Sequence, residues 1–158
     1  MPSTVAPPHR RLVLLIDDSP LDLEFTRIAF EACGHLAADL LTFDDPRQAW
    51  RFLLTSAASG LRLIVLDLDM PGLSGLDLLR AIRADAWLAL VPVVVLSTSN
   101  ADADVEASYR AGASAYLVKP LDYENYRSMV AALCGFWVNL NSLVPAPGAG
   151  PSREKGLQ

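Results

Sequence analysis

The chain has 158 residues, the length of one domain, and 52% of them are hydrophobic while 20% are charged, as in folded globular proteins. A net charge of −5 without a basic cluster argues against nucleic acid or an anionic membrane as partner. The sequence shows neither an apolar run of membrane-spanning length nor a signal-peptide pattern, so a cytoplasmic location is expected.

The chain has a proline-rich start and a proline- and glycine-rich end. Between them, segments with the hydrophobic pattern of strands alternate with segments that have the period of helices. We expect flexible tails at 1–10 and 144–158, and one domain over 11–143. Apolar runs of strand length predict five strands, at 11–16, 38–43, 61–67, 91–97 and 114–118. Helical spacing follows each run, with start signals at Ser19-Pro20, Asp45-Pro46, Ser74, Ala101 and Asp122. Gly112 is expected to close the fourth helix in a left-handed conformation, and the fifth helix to continue to about residue 141.

This alternation predicts the fold class. Strands that are apolar throughout are buried on both faces, as in a parallel sheet that helices cover on both sides. Right-handed crossovers then give an α/β fold, a doubly wound five-stranded parallel sheet in a three-layer sandwich. Ligands of such folds bind beyond the carboxyl ends of the strands.

Polar side chains capable of chemistry stand at those carboxyl ends. They are Asp17, Asp18, Asp67, Asp69, Ser97 and Lys119. Two carboxylates about 4 Å apart repel by roughly 4 kcal/mol at an effective dielectric of about 20, a cost that a divalent cation would relieve. Oxygen ligands without His or Cys favour Mg²⁺ over zinc. Asp67 is therefore a candidate nucleophile for an aspartyl phosphate, with Ser97 and Lys119 beside the phosphoryl oxygens.

The motifs LLIDDS, IVLDLDMPGLSGLDLL, PVVVLST and AGASAYLVKP resemble those of the receiver domains of two-component response regulators, which have a CheY-like, flavodoxin-like fold. The resemblance covers about residues 11–137. It implies that Asp67 is the phosphoacceptor and that Asp18 binds Mg²⁺ directly. It also implies that Asp17 acts on the metal largely through water and that Asp69 offers its backbone carbonyl.

The same resemblance assigns the remaining residues of the site. Lys119 would be the phosphate-binding cation, Ser97 the switch hydroxyl, and Tyr116 the switch aromatic; on the sequence alone, Tyr116 is as readily a core residue. The bond between Lys119 and Pro120 is expected to be cis. Ser74 replaces an Asp that is frequent in the family, and still suits a helix start. Such a protein signals and is not a metabolic enzyme.

The end of the fifth helix is unusually rich in large apolar residues. Phe136, Trp137, Leu140 and Leu143 are predicted to lie beyond the core, either folded back on their own domain or forming a homodimer patch, which we favour. This end resembles single-domain regulators that pair with bacterial phytochrome histidine kinases, so a sensor histidine kinase is the expected partner. Only a short tail follows, and the expected output is contact with other proteins.

Two alternative functions stay open. VLDLDMP is also similar to the D-x-D opening of haloacid-dehalogenase-type phosphatases, although their motif closes the first strand and their acid pair follows the lysine. A phosphorylation-independent interaction module on the same fold is the other alternative, and the crowded acids argue against it.

The remaining metal-binding residue types have ordinary interpretations. Cys33 and Cys134 form no paired motif and are expected to be buried free thiols. His9 in the tail and His35 in a loop are expected to be solvated rather than to bind or donate phosphate.

Overall fold

The computed structural model describes residues 11–34 and 38–145. The first predicted tail and the second from residue 146 onward lie outside the described residues, as do His9 and His35. Within these ranges no helix combines the length and the apolar character needed to cross a membrane.

Strands and helices alternate along the described chain, as the hydrophobic periods predict. The strands are β1 (Arg11–Ile16), β2 (Ala38–Phe43), β3 (Leu61–Leu66), β4 (Val93–Ser97) and β5 (Ala115–Val118). The helices are α1 (Pro20–Ala32), α2 (Pro46–Leu53), α3 (Gly75–Ala84), α4 (Asp102–Arg110) and α5 (Tyr123–Cys134). A π-helical turn, Gly135–Leu140, continues α5 and is called the C-terminal extension below.

All strand pairs are parallel, and the order across the sheet is β2-β1-β3-β4-β5. The chain moves outward from β1 in one direction to β2, and then crosses back to β3 on the other side. The carboxyl ends of β1 and β3 therefore flank the point where the strand order reverses, which is the ligand-binding crevice of doubly wound sheets.

The sheet is buried on both faces. In β1, Leu14 and Ile16 pack into a core layer with α2 and α3, whereas Val13 and Leu15 pack into a second layer with α1 and α5. Both faces of β3 are used in the same way. Continuous apolar runs rather than alternating ones are the direct consequence.

Most helices begin at the predicted residues because a side chain caps the first turn. Ser19, Asp45, Ser74 and Asp122 each accept a hydrogen bond from a backbone N–H two or three residues on. Helix α4 has no such side-chain cap. After α4, Gly112 takes the predicted left-handed conformation with φ +102°.

The C-terminal extension folds back onto the domain. Val138 is fully buried, and Trp137 is half-buried against the α1–α5 core layer. Arg11 donates to the carbonyl of Val138 at 3.2 Å, and Arg62 to that of Asn141 at 3.0 Å. The guanidinium groups of two neighbouring strands thus donate hydrogen bonds to carbonyl groups at the end of the helix. These carbonyls need such partners because no further helical turn supplies a backbone N–H.

The prediction that these aromatic and aliphatic residues all lie beyond the core is therefore wrong for Trp137. It holds for two others: Phe136 is 51% and Leu140 76% exposed. The reason is that the extension is helical, so one side of it, with Trp137 and Val138, faces the core while Phe136 and Leu140 lie on the exposed side.

Both cysteines are buried and free, as predicted. Burial raises the pKa of the Cys134 thiol to about 12, and nearby Cys33 adds to the shift. At neutral pH Cys134 is therefore a protonated, apolar core residue.

Candidate functional site

Three carboxylates meet at the carboxyl ends of β1 and β3. Asp17, Asp18 and Asp67 each present an oxygen, and these oxygens all lie within 4.8 Å of one another. The two strands are neighbours, and the backbone N–H of Asp67 donates to the carbonyl of Ile16 at 2.9 Å. Asp17 and Asp67 are buried while Asp18 is half-buried, so the cluster opens to solvent at one side.

Short turns fix the orientation of the two buried acids. Asp17 Oδ1 accepts a hydrogen bond from the backbone N–H of Ser19 at 2.9 Å. Asp67 Oδ1 accepts one from the N–H of Asp69 at 3.3 Å. The side chain of Asp69 is itself exposed beside the cluster. Each carboxylate thus keeps its other oxygen for a further partner.

Lys119 reaches the cluster from β5. Its Nζ lies 2.7 Å from Asp17 Oδ2, 2.7 Å from Asp22 Oδ2 and 3.6 Å from Asp67 Oδ2. Its backbone N–H donates to the carbonyl of Ser97 at 2.8 Å, which holds the end of β5 beside β4. The sheet therefore brings together residues that are 102 positions apart in sequence.

The expectation of a cis bond before Pro120 is wrong. None of the peptide bonds in the described residues is cis. Trans is the lower-energy form of a bond to proline by about 0.5–1 kcal/mol. Lys119 reaches its acidic partners with this bond trans, so the site geometry here does not need the other form.

The electrostatics of the cluster favour a bound cation. Burial, followed by the negative charge of Asp17, raises the pKa of Asp67 to about 7, although Lys119 and the N–H of Asp69 act in the opposite direction. Burial alone would lower the pKa of Lys119, but its hydrogen bonds to Asp17 and Asp22 outweigh this and hold the pKa above its ordinary value. One ammonium does not fully compensate the acids, and hard carboxylate oxygens in this arrangement fit Mg²⁺ or Mn²⁺.

Ser97 and Tyr116 meet at one loop residue. Ser97 is fully buried at the end of β4, and its Oγ accepts a hydrogen bond from the N–H of Ser99 at 3.2 Å. The half-buried Tyr116 donates its hydroxyl proton to the carbonyl of Ser99 at 2.8 Å. The β4–α4 loop is thereby tied to both predicted switch residues.

Two residues of the site were not predicted from the sequence. Asp22 contacts Lys119, but its position in the first turn of α1 is typical of ordinary helix-start acids. Gly75 starts α3 directly under the site, where a Cβ would clash with the carbonyl oxygen of Asp67 and lie 2.7 Å from the Cα of Leu68. A glycine at a first helical position was the available signal for this close approach.

A family comparison agrees with this arrangement. The model of the response regulator receiver domain matches residues 13–131. The chain belongs to this receiver family. Membership makes it a protein of two-component signalling rather than a metabolic enzyme, and it favours the receiver over the phosphatase alternative.

Similar receivers include phytochrome-associated regulators. Response regulator Rcp1 of Synechocystis is 30% identical over 140 residues, which cover 86% of this chain and 95% of Rcp1. The crystal structure of the Mn²⁺-bound form of Rcp1 superimposes with a TM-score of 0.75 at 29% identity, covering 85% of this chain and 99% of that one. The phosphorylated cyanobacterial phytochrome response regulator RcpA gives 0.77 at 28% identity, covering 85% and 98%. The predicted CheY-like fold is thus confirmed.

Proposed function

We propose that this receiver is a cytoplasmic response regulator that accepts a phosphoryl group on Asp67 from a sensor histidine kinase. The observation that carries the proposal is the convergence of Asp67 with Asp17 and Asp18 within 4.8 Å, with Lys119 Nζ 3.6 Å from Asp67. The domain proposed for this role spans residues 11–143. Its relatives Rcp1 and RcpA support the assignment, since the first is named a response regulator and the structure of the second is of a phosphorylated form.

The acids are proposed to hold Mg²⁺ through the side chains of Asp17, Asp18 and Asp67 and the backbone carbonyl of Asp69. The existence of an Mn²⁺-bound form of the related Rcp1 supports the binding of a divalent cation. When bound, Mg²⁺ neutralises charge on the acids and on the phosphoryl oxygens.

The chain's own residues would perform the transfer. A carboxylate oxygen of Asp67 attacks the phosphorus, and the bond from phosphorus to the kinase histidine breaks. Lys119 and the hydroxyl of Ser97 then donate hydrogen bonds to phosphoryl oxygens. Lys119 begins close to this position, and the end of β4 places Ser97 on the neighbouring strand.

Signal output is proposed to start at Ser97. If its Oγ turns toward the phosphoryl group, the N–H of Ser99 loses its acceptor and the loop must move. The hydroxyl of Tyr116 bonds to that same loop residue, so its ring is free to turn once the loop shifts. Both changes alter the face formed by α4, β5 and α5, which would bind the receiver's targets.

The phosphoryl donor is proposed to be a phytochrome-linked histidine kinase. RcpA is described as a phytochrome response regulator, and a further structural neighbour is a response regulator in red light signalling of R. palustris. Phosphotransfer profiling against a panel of purified histidine kinases tests both parts of the proposal. Fast transfer from a phytochrome kinase is expected; transfer from none of the panel, together with no uptake from acetyl phosphate and Mg²⁺, would contradict it.

A homodimer through the C-terminal extension is also proposed. Phe136 and Leu140 expose large apolar side chains on a segment that Arg11 and Arg62 hold in one position. A fixed, exposed apolar surface is typical of an interface between copies. Trp137 contributes from the half-buried side, where its ring packs edge-on against Phe136 with the centroids 4.8 Å apart.

We expect Leu140→Asp to lower the mass measured by sedimentation from that of a dimer toward that of a monomer, because it places a charge in the proposed interface. The matched control is Leu54→Asp, which puts the same charge on a side chain that is 58% exposed at the end of α2. Equal masses for the wild type and the Leu140 variant would remove the dimer from the proposal.

A further inference from the structure

Asp22 lies in the first turn of α1, but its side chain bonds to a residue outside that helix. Its backbone N–H donates to Ser19 Oγ at 3.3 Å, as expected for the first turn of α1. Its carboxylate does not return to that turn but reaches Lys119 Nζ across 97 residues of sequence, at 2.7 Å. The side chain is 25% exposed, so the contact is a partly desolvated, charge-assisted hydrogen bond.

The ammonium of Lys119 is shared by two acids of different kinds. Asp17 belongs to the cluster proposed to hold Mg²⁺, whereas Asp22 is outside that cluster. A divalent cation on Asp17 would repel the ammonium and weaken its hold on that carboxylate. Asp22 is the remaining carboxylate that contacts Lys119 within the described residues and is not itself a proposed metal ligand.

Packing between α1 and α5 holds Asp22 in place. Thr26 lies four residues further along α1 and hence on the same face. Its hydroxyl forms a buried hydrogen bond of 2.6 Å with the hydroxyl of Tyr126 on α5. The carboxylate of Asp22 therefore projects from a helix whose rotation is fixed, which suits it to act as an anchor.

We propose that Asp22 is a positioning residue that anchors the ammonium of Lys119 beside Asp67 while a divalent cation occupies the acidic cluster. The inference rests on the proposed function only in assuming that the cluster binds Mg²⁺. Without the anchor, the ammonium has only carboxylates that the cation also requires. With it, Lys119 stays within reach of a phosphoryl group on Asp67.

The exchange of lysine ammonium protons with water provides the test, because it reports hydrogen bonding at Nζ directly. The sequence contains two lysines, Lys119 and Lys155, so a ¹⁵N-lysine-labelled sample gives two side-chain signals, which Lys155→Arg assigns. Exchange is measured in EDTA and in saturating Mg²⁺ for the wild type, Asp22→Asn and Asp22→Glu. Glu24→Gln is the matched control, since it removes a negative charge from an exposed, Arg27-paired position on the same helix.

In Mg²⁺, Asp22→Asn is expected to speed Lys119 exchange at least about tenfold over the wild type, the factor that corresponds to losing one hydrogen bond to a charged group. In EDTA, where Asp17 still holds the ammonium, a smaller increase of about threefold is expected. Asp22→Glu should restore slow exchange, and Glu24→Gln should resemble the wild type. If Asp22→Asn does not fold, Asp22→Ser replaces it with the same expectation.

Unchanged exchange of Lys119 in the folded Asp22 variant in saturating Mg²⁺ would overturn the anchor and leave Asp22 as a helix-start acid. An equal increase in Glu24→Gln would also overturn it, because the effect would then be one of overall charge. Calorimetric titration of the wild type with Mg²⁺ separates a failure of the proposed function from a failure of the anchoring role of Asp22. If no Mg²⁺ binds, the proposed function fails, and the exchange measured in EDTA alone decides the role of Asp22.

Discussion

Asp67→Asn is expected to abolish Mg²⁺-dependent uptake of a phosphoryl group from acetyl phosphate. The amide that replaces the carboxylate is not a nucleophile, so the aspartyl phosphate cannot form at this position. Intact-protein mass spectrometry, with Mg²⁺ and with EDTA, measures the gain of one phosphoryl group per wild-type chain and none in the variant.

The control for this experiment is Asp44→Asn. Asp44 directly follows β2 at the same edge of the sheet and is exposed, but it is outside the acidic cluster. The Asp44→Asn variant should take up phosphate as the wild type does. Full labelling of the Asp67 variant would contradict the assignment of the phosphoacceptor. Continuous phosphate release by the wild type from small phosphoesters would instead support the phosphatase alternative.

The same substitution is expected to stabilise the fold at alkaline pH in the absence of metal. In the folded chain the pKa of Asp67 is about 7, against an ordinary value of 3.8. Between these two values the folded state binds more protons than the unfolded state, so this group's contribution to stability falls as the pH rises through the interval. The Asn side chain does not titrate, so the variant lacks this loss of stability. The difference in free energy of unfolding between Asp67→Asn and the wild type should therefore shift in favour of the variant by about 2 kcal/mol from about pH 5 to about pH 8.

Denaturant unfolding in EDTA at both pH values measures this difference. Comparing the variant with the wild type cancels groups that titrate equally in the two proteins. Saturating Mg²⁺ should reduce the advantage, because a ligand at one hundred times its Kd stabilises the folded wild type by about 2.7 kcal/mol. Parallel pH profiles for the two proteins would show that crowding of the acids costs no stability.

The stability test also bears on why the acids persist together. Crowded carboxylates oppose folding unless a cation compensates them, and Lys119 supplies a single positive charge. If the protein were a phosphorylation-independent interaction module, the loss of stability caused by the crowded carboxylates would have no explanation. A receiver that binds Mg²⁺ explains it, since the charges that destabilise the metal-free fold are those that bind the metal.

The proposed output face and the proposed dimer surface share one part of the molecule. Tyr116 on β5 contacts the β4–α4 loop, while α5 carries the C-terminal extension with Phe136 and Leu140. Helix α5 is also joined to α1 through the hydrogen bond between Thr26 and Tyr126. A change at Asp67 therefore has two physical routes toward the proposed dimer surface, one through β4 and β5 and one through α1.

The sequence by itself determined the strands, the helix starts and the residues at the edge of the sheet. Strands buried on both faces need continuous apolar runs, and side chains such as Ser19 and Ser74 cap the nearest backbone groups. Parallel strands also place their carboxyl ends at one edge, so Asp67 and Lys119 were predicted to meet. These features depend on local pattern and on topology alone.

Only the tertiary structure decided which side chains touch. It pairs Lys119 with Asp22, makes the bond before Pro120 trans, and turns Trp137 toward the core while Phe136 stays exposed. Each outcome depends on distances of a few ångströms between segments that are remote in sequence. Packing of whole helices against the sheet sets those distances, and no local period or cap encodes them.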